Sequence, residues 1–273
     1  MIRLKSPQGS HAGFTLIELT MVILLLGIIG MFSSRFISSN VVLYQTSINQ
    51  NERLNDARFI FNRLDKELNS AVAFSLRINT TGNYSCIDFV PFTAAGLYIG
   101  NVSGLSKMSL IMDRRTRENT GSNENDFSGQ YVSVLTTNAD DFYSLPSSTV
   151  AEITNYVPVP GANPTQADLT FGSNLSRDSL VSRYFIAENK VQYCLLAIGD
   201  SMRLFRNQAP LSAQNYTLDN RVLMADDLSV DSAMNLTSAS QFSHAILNLN
   251  FGFKLRDDSV LRFDHQLVIS NVP

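Results

Sequence analysis

The feature of this sequence that most constrains its fold is an apolar run that extends from Phe14 to Ser34. Glu18 is the only ionisable side chain in the run. Because an α-helix needs roughly 20 apolar residues to cross a bilayer, the run predicts a membrane-spanning helix over residues 14–35. A carboxylate at the centre of such a helix costs roughly 2.5–3.5 kcal/mol and marks a functional site. Near the end of the span the cost is smaller, and we expect Glu18 to have a cationic partner.

A short basic segment, residues 1–13, precedes the run. It contains Arg3 and Lys5 and no acidic residue. Positive charge before a membrane segment keeps that end of the chain in the cytoplasm, so we expect a single-pass membrane protein whose head lies across the membrane. In a Gram-negative cell that is an inner-membrane protein with a periplasmic head. A secretory signal peptide and a plain membrane anchor remain alternatives. A signal peptide would have small residues at a cleavage site after the run, and residues 30–33 match that pattern poorly.

The junction Gly13-Phe14-Thr15-Leu16-Ile17-Glu18, followed by apolar residues, resembles the signal of type IV prepilins and type II secretion pseudopilins. The resemblance implies that prepilin peptidase cleaves between Gly13 and Phe14 and N-methylates Phe14. It also implies that Glu18 pairs with the amino terminus of a neighbouring subunit. That amino group would be the cationic partner.

An amphipathic continuation of the helix is predicted after the apolar run. There is no proline or glycine between Val41 and Arg77, and apolar residues recur there at steps of three and four. We therefore expect helix to about Phe74, with residues 36–75 as its amphipathic half and its charged face in solvent. Many major pilins carry a proline where this chain has Arg35, and Gly27 and Gly30 are the weak points of the helix instead.

Residues 76–273 are expected to form a β-rich head, which gives an α+β, pilin-like fold with a mostly antiparallel sheet. The clearest signal is a closing hairpin over 247–255 and 261–269, where apolar and polar residues alternate. Residues 79–83 and 114–130 are predicted as a turn and an exposed loop, and 146–168 as a long connection with an edge strand at 153–159. Other short runs predict strands over 86–90, 108–112, 131–135, 183–187, 191–198, 202–206 and 221–224.

The chain has two cysteines, Cys86 and Cys194, each in a predicted strand. Outside the cytoplasm a disulfide is the natural interpretation, although two separate buried thiols remain an alternative. A zinc site is not expected, because there is no Cys-x-x-Cys pair and the chain after residues 1–13 contains only two histidines, His244 and His265. His265 is predicted to be a core side chain, and His244 a surface one.

Neither catalysis, a cofactor nor nucleic-acid binding is predicted. The net charge is −3, and the sequence contains neither a nucleophile elbow nor a phosphate-binding glycine loop. Its acidic groups lack the spacing of a calcium loop, so we interpret them as turn and solvent-exposed residues. These groups are Asp140-Asp141, Asp226-Asp227, Asp257-Asp258 and the looser cluster of Glu124 and Asp126.

Weaker features narrow the resemblance to the J-type minor pseudopilins and the MshO group of mannose-sensitive haemagglutinin pili. They are the helix stretch Arg63-Leu64-x-x-Glu67-Leu68-x-x-Ala71, the cysteine pair followed by Arg203–Arg206, and the ending Val268–Pro273. The resemblance implies a minor subunit at the fibre tip that assembles with other minor and major pilins. A type II secretion pseudopilin, a tip adhesin for a surface glycan and an anchored periplasmic enzyme stay open.

Overall fold

The computed structural model describes residues 13, 15–82, 84–111, 127–159, 161, 166–217, 220–239 and 243–269. The chain divides into two compact units, Met1–Asn51 and Glu52–Pro273, which are taken separately below. The fold is α+β, as predicted. It contains a long N-terminal helix and antiparallel β-sheets.

The first element, α1, spans Leu16–Leu68 and is continuous through Gly27, Gly30 and Arg35. It ends before the predicted limit near Phe74, because the backbone leaves the helix to pair with a strand segment. Ala71 forms a β-bridge with Pro91, and the Val72 N–H donates to the carbonyl oxygen of Val90 at 2.9 Å. A single 3-10 turn, Ala73–Ser75, follows.

The described residues of the head form fourteen strands and one short helix. The strands are β1 (Arg77–Thr81), β2 (Tyr84–Phe89), β3 (Ala94–Ile99), β4 (Lys107–Ile111), β5 (Tyr131–Ser133), β6 (Val150–Val159), β7 (Gln166–Phe171), β8 (Arg183–Ala187), β9 (Asn189–Ile198), β10 (Ser201–Pro210), β11 (Val222–Leu228), β12 (Ala233–Thr237), β13 (Ala245–Lys254) and β14 (Val260–Ile269). The helix α2 is Asp140–Tyr143.

These strands form two separate β-structures. An eight-stranded antiparallel sheet has the order β1-β2-β9-β10-β11-β13-β12, with β14 paired to β13. The other six strands close into an antiparallel barrel of order β3-β4-β7-β6-β5-β8. The barrel is an insertion between two neighbouring strands of the sheet, because β2 and β9 pair directly although the whole barrel lies between them in sequence.

The core of the sheet lies between its strands and the last turns of α1. Ala57, Ile60, Leu64 and Leu68, which recur at steps of three and four, are almost completely buried. The closing hairpin packs on this stripe, as predicted, and the ring of Phe251 stacks on Phe61 at 5.8 Å between centroids. The hairpin register is unbroken from Ala245 opposite Ile269 to Lys254 opposite Val260.

The barrel has a core of its own, built from inward-facing side chains without any helix. Its buried members include Tyr98, Leu110, Ile153, Leu169 and Tyr184. A third and smaller cluster joins the barrel to the sheet. It consists of Val72, Val90, Phe142, Val150, Ala187 and Leu211.

Several sequence predictions for the middle of the chain are wrong. Residues 146–168 are not a long connection, because they include β6 and the start of β7. β6 is not an edge strand, since it pairs with β5 on one side and β7 on the other. β3 and β12 were not predicted, and β1 continues into the predicted turn at 79–83. Most of the predicted loop at 114–130 lies outside the described residues, but Phe127 within it is buried.

Candidate functional site

The start of α1 is fixed by Thr15, the residue before its first turn. The Glu18 N–H donates to the Thr15 hydroxyl oxygen at 3.3 Å, which is an N-cap interaction. Thr15 and Glu18 have the Thr-x-x-Glu spacing of a capping box, and a carboxylate in the first turn is favoured by the helix dipole. The position of Glu18 in the first turn is therefore compatible with the start of the helix as well as with the expected role towards another chain. Phe14 lies outside the described residues.

Gly13 is placed where nothing in the fold requires a glycine. A Cβ atom built on Gly13 would meet no atom within 4 Å. Glycines kept for packing behave differently, as Gly96 in the barrel shows. There a Cβ would lie 2.9 Å from the Tyr184 hydroxyl oxygen. The glycine at position 13 therefore has no packing explanation among the described residues.

In the first unit, the described residues from Leu16 onwards form a helix whose large apolar side chains are exposed. From Leu16 to Phe32 every large apolar side chain is exposed, and the most apolar stretch has a mean hydropathy of 2.3. By length and composition α1 is able to cross a membrane. The exposed apolar residues continue past Arg35, with Phe36, Ile37, Val41, Val42, Leu43, Tyr44 and Ile48.

Glu67, in the last turn of α1, joins the helix to the sheet. Its carboxylate accepts hydrogen bonds from Arg63 Nε at 3.1 Å, Arg206 Nε at 3.0 Å and the Tyr193 hydroxyl at 3.0 Å. Arg206 is 12% exposed and Glu67 20% exposed, so this network is partly shielded from water. Burial, followed by the charge of Glu67, raises the pKa of Tyr193.

This network corrects the prediction that the charged face of the helix is simply solvated. Arg63 and Glu67 are four residues apart, so their pairing could be predicted from the sequence. Arg206 lies 139 residues after Glu67, and no local pattern indicates that contact.

The predicted disulfide is present. Cys86 in β2 and Cys194 in β9 lie directly opposite each other and are bonded, and the described residues contain no free cysteine. The bond connects the two strands between which the barrel is inserted. It therefore closes a loop of 108 residues that contains the whole barrel.

A buried charged cluster lies next to the disulfide on the same strands. Asp88 is 1% exposed and accepts hydrogen bonds from Arg77 Nε at 3.0 Å, Gln192 Nε2 at 2.8 Å and Asn79 Nδ2 at 3.3 Å. Lys190 is also buried, and its ammonium donates to the backbone carbonyl oxygens of residues 213 and 214. Burial, followed by the charge of Arg77, lowers the pKa of Lys190. Asp88 is ion-paired with Arg77, and the Lys190 ammonium is hydrogen-bonded to backbone carbonyl oxygens, which is typical of a structural role.

A cleft of about 970 Å³ lies beside the last turns of α1. One wall is a face of the helix, and the other is the segment 92–95 that leads into the barrel. The residues that line it are Phe59, Asn62, Arg63, Lys66, Glu67, Asn69, Ser70, Phe92, Thr93, Ala94 and Ala95. The cleft contains an exposed aromatic ring, amides and cationic groups, and it contains neither histidine.

The histidines and acidic pairs do not line this cleft. His265 is half-buried, with its ring 4.8 Å from that of Phe61, and His244 is exposed. Asp226 and Asp227 form ion pairs with Arg203 and Arg53. Asp257-Asp258 lies in the β13–β14 turn, and Asp140-Asp141 opens α2. Glu124 and Asp126 lie outside the described residues. Among the residues that are described, no group of three or more His, Cys, Asp and Glu could hold a metal ion.

Comparison with known proteins gives no match to any protein family, curated protein or solved structure.

Proposed function

We propose that this chain is a minor pilin of a type IV, MshO-like pilus. Prepilin peptidase cleaves it between Gly13 and Phe14, and the subunit helps to initiate or cap the fibre. Before assembly it is held in the inner membrane with a periplasmic head, and afterwards it is part of the pilus. The observation that carries the proposal is the length of the exposed apolar surface on α1.

That surface is too long for a plain membrane anchor. Residues 16–48 extend on the order of 50 Å at ~1.5 Å per residue, whereas the hydrocarbon core of a bilayer is roughly 30 Å thick. Apolar side chains beyond the bilayer need a protein neighbour, because water disfavours a large exposed apolar patch. This supports a helix that packs against other helices after it leaves the membrane.

The second part of this surface has the pattern of a helix-packing seam. Ile37, Val41, Tyr44 and Ile48 follow each other at steps of four, three and four and are 62%, 48%, 68% and 41% exposed. Such spacing places all four on one side of a helix and is typical of interhelical contacts. Within the fibre these residues would pack against neighbouring subunits, and Glu18 would pair with the amino group of a neighbour's Phe14.

The cleavage is tested by expressing the full chain with an active prepilin peptidase and measuring its intact mass. We expect loss of residues 1–13 and one methyl group on the amino terminus of Phe14. Gly13→Arg should stay uncleaved, while Glu18→Ala should be cleaved but fail to enter fibres. A wild-type chain that keeps its full mass beside the peptidase would refute the proposal.

The seam is tested separately with a matched pair of substitutions. Val41→Asp places a carboxylate on the seam, whereas Ser39→Asp places one on the opposite side of the same helix turn. We expect both variants to be cleaved and to reach the membrane, and only Val41→Asp to be lost from sheared fibres. Equal incorporation of the two variants would show that the seam does not contact other subunits. A pseudopilin of a secretion system would also pass the cleavage test, but its loss would abolish secretion rather than pili.

A further inference from the structure

The cleft beside the last turns of α1 has the chemistry of a binding site rather than of a packing surface. Phe59, Asn62 and Lys66 follow each other at steps of three and four, which places them on one face of the helix, and Asn69 comes directly after the helix end. All four are exposed, and the Phe59 side chain is 54% exposed. A face that joins two helices or a helix and a sheet is apolar, whereas this one alternates a ring, amides and a cation.

The charge within the cleft is positive. Glu67 is the acidic residue of its lining, and its carboxylate is already bound by Arg63, Arg206 and Tyr193. Lys66 forms no ion pair with any described residue. A ligand in the cleft therefore meets the ammonium of Lys66 and the guanidinium N–H groups of Arg63 other than Nε, which donates to Glu67. A carboxylate is the group that both would bind.

The polar groups that remain available are amides. No hydrogen bond of the Asn62 or Asn69 side chain to a described residue is found, whereas Ser70 and Thr93 are engaged within the fold. Side-chain amides donate and accept at the same time, which suits hydroxyl groups on a ligand. The Phe59 ring offers an apolar face on which a flat ligand surface can stack.

We propose that this cleft binds an acidic saccharide, a sugar chain that carries carboxylate groups. The carboxylate lies against Lys66 and Arg63, the hydroxyl groups bind Asn62 and Asn69, and one sugar ring stacks on Phe59. A cavity of about 970 Å³ is within the size range of ligand sites and accommodates a short oligosaccharide. This activity goes beyond assembly of a fibre and does not depend on it.

The probe is a short oligogalacturonate, and the matched control ligand is its methyl ester, which has the same skeleton without the charge. Calorimetry with the purified full chain in detergent should show binding of the acid and at least about tenfold weaker binding of the ester. Equal binding of the two ligands, or no binding of either, would overturn the proposal. An acidic peptide such as oligoglutamate is the third ligand, and tighter binding of the peptide would assign the cleft to a protein partner instead.

Substitutions then place the binding in the cleft. Lys66→Gln should weaken oligogalacturonate binding by about tenfold and Phe59→Ala by about three- to tenfold, while Lys66→Arg keeps it. Lys107→Gln removes an equally exposed lysine from barrel strand β4 and should change nothing. Because Phe59 and Lys66 are exposed, these variants should fold, which thermal unfolding of each one checks. Wild-type affinity in both Lys66→Gln and Phe59→Ala would exclude the cleft as the site.

Discussion

The eight-stranded sheet and the six-stranded barrel bury their strands in different ways. The sheet covers its apolar face with the last turns of α1, so its core depends on a helix that comes from outside the β-structure. The barrel closes on itself and fills its interior with its own side chains, such as Tyr184 and Leu169. The core of the sheet therefore depends on the last turns of α1, whereas the core of the barrel contains no helical residue.

Each of the two structures also uses a carboxylate differently. In the sheet, Glu67 holds two arginines and a tyrosine that come from the helix and from two strands. In the barrel, Asp178 accepts the Val102 N–H at 2.7 Å and the Tyr98 hydroxyl at 3.3 Å. The first carboxylate therefore joins a helix to the sheet, whereas the second joins two segments within the barrel region that are 76 residues apart in sequence.

Removal of the disulfide between β2 and β9 should cause the largest loss of stability. In the double variant Cys86→Ala/Cys194→Ala we expect a loss of about 4–5 kcal/mol in the free energy of unfolding, because the bond closes a loop of 108 residues. Denaturant unfolding of the full chain in detergent measures this. A reducing agent should lower the free energy of unfolding of the wild type by a similar amount and leave that of the double variant unchanged. A loss below about 3 kcal/mol would mean that the disulfide closes a shorter flexible loop in the unfolded state. That would occur if the barrel stays folded when the sheet unfolds.

The Glu67 network should have an intermediate effect. Glu67→Ala leaves Arg206 and the Tyr193 hydroxyl without their acceptor in a partly buried place, and we expect a loss of about 2–3 kcal/mol. Asp56→Ala on the same helix is the control, since Asp56 is 51% exposed and pairs with Arg53 at 3.7 Å. Its loss should be below about 1 kcal/mol. Similar losses in the two variants would contradict a special role for Glu67 in joining helix and sheet.

Ionisation of Tyr193 in the sheet at alkaline pH should have the smallest effect. Burial raises the pKa of Tyr193 above its ordinary value near 10, so the folded state holds this proton more tightly than the unfolded state does. Its contribution is fully present below pH 10 and is lost as the pH rises further. At pH 11 the loss is about 1.4 kcal/mol for one such tyrosine. Tyr193→Phe should flatten the dependence of stability on pH above 10, and an unchanged slope would refute this assignment.

The parts of the fold that could be predicted are those with local patterns. The apolar stripe from Ala57 to Leu68 repeats every three or four residues, and the closing hairpin alternates over two long strands, so both were predicted correctly. The disulfide was predicted because both cysteines were expected to lie outside the cytoplasm, where disulfides form. None of these predictions needed knowledge of a distant contact.

The parts that could not be predicted depend on distant contacts. β3 begins Ala94-Ala95-Gly96, residues that are rare in strands, because the ring of Tyr184 lies across that position in the closed barrel. The end of α1 is set by Val90 and Pro91, more than twenty residues further along the chain. In the candidate site, Lys66 and Asn69 were assigned to the solvated face of the helix, and Phe59 and Asn62 were assigned to neither face. Only the opposite wall at 92–95 makes these residues one side of a cleft.

The position of the barrel has a consequence for how such a chain could diversify. In the sheet, β2 and β9 are ordinary neighbours, and Phe89 lies opposite Val191. A shorter connection that keeps Val90 and Pro91, which set the end of α1, would join β2 to β9 without shifting the register of any other strand. A different insertion could therefore be grafted between Pro91 and β9, while the disulfide still holds β2 to β9.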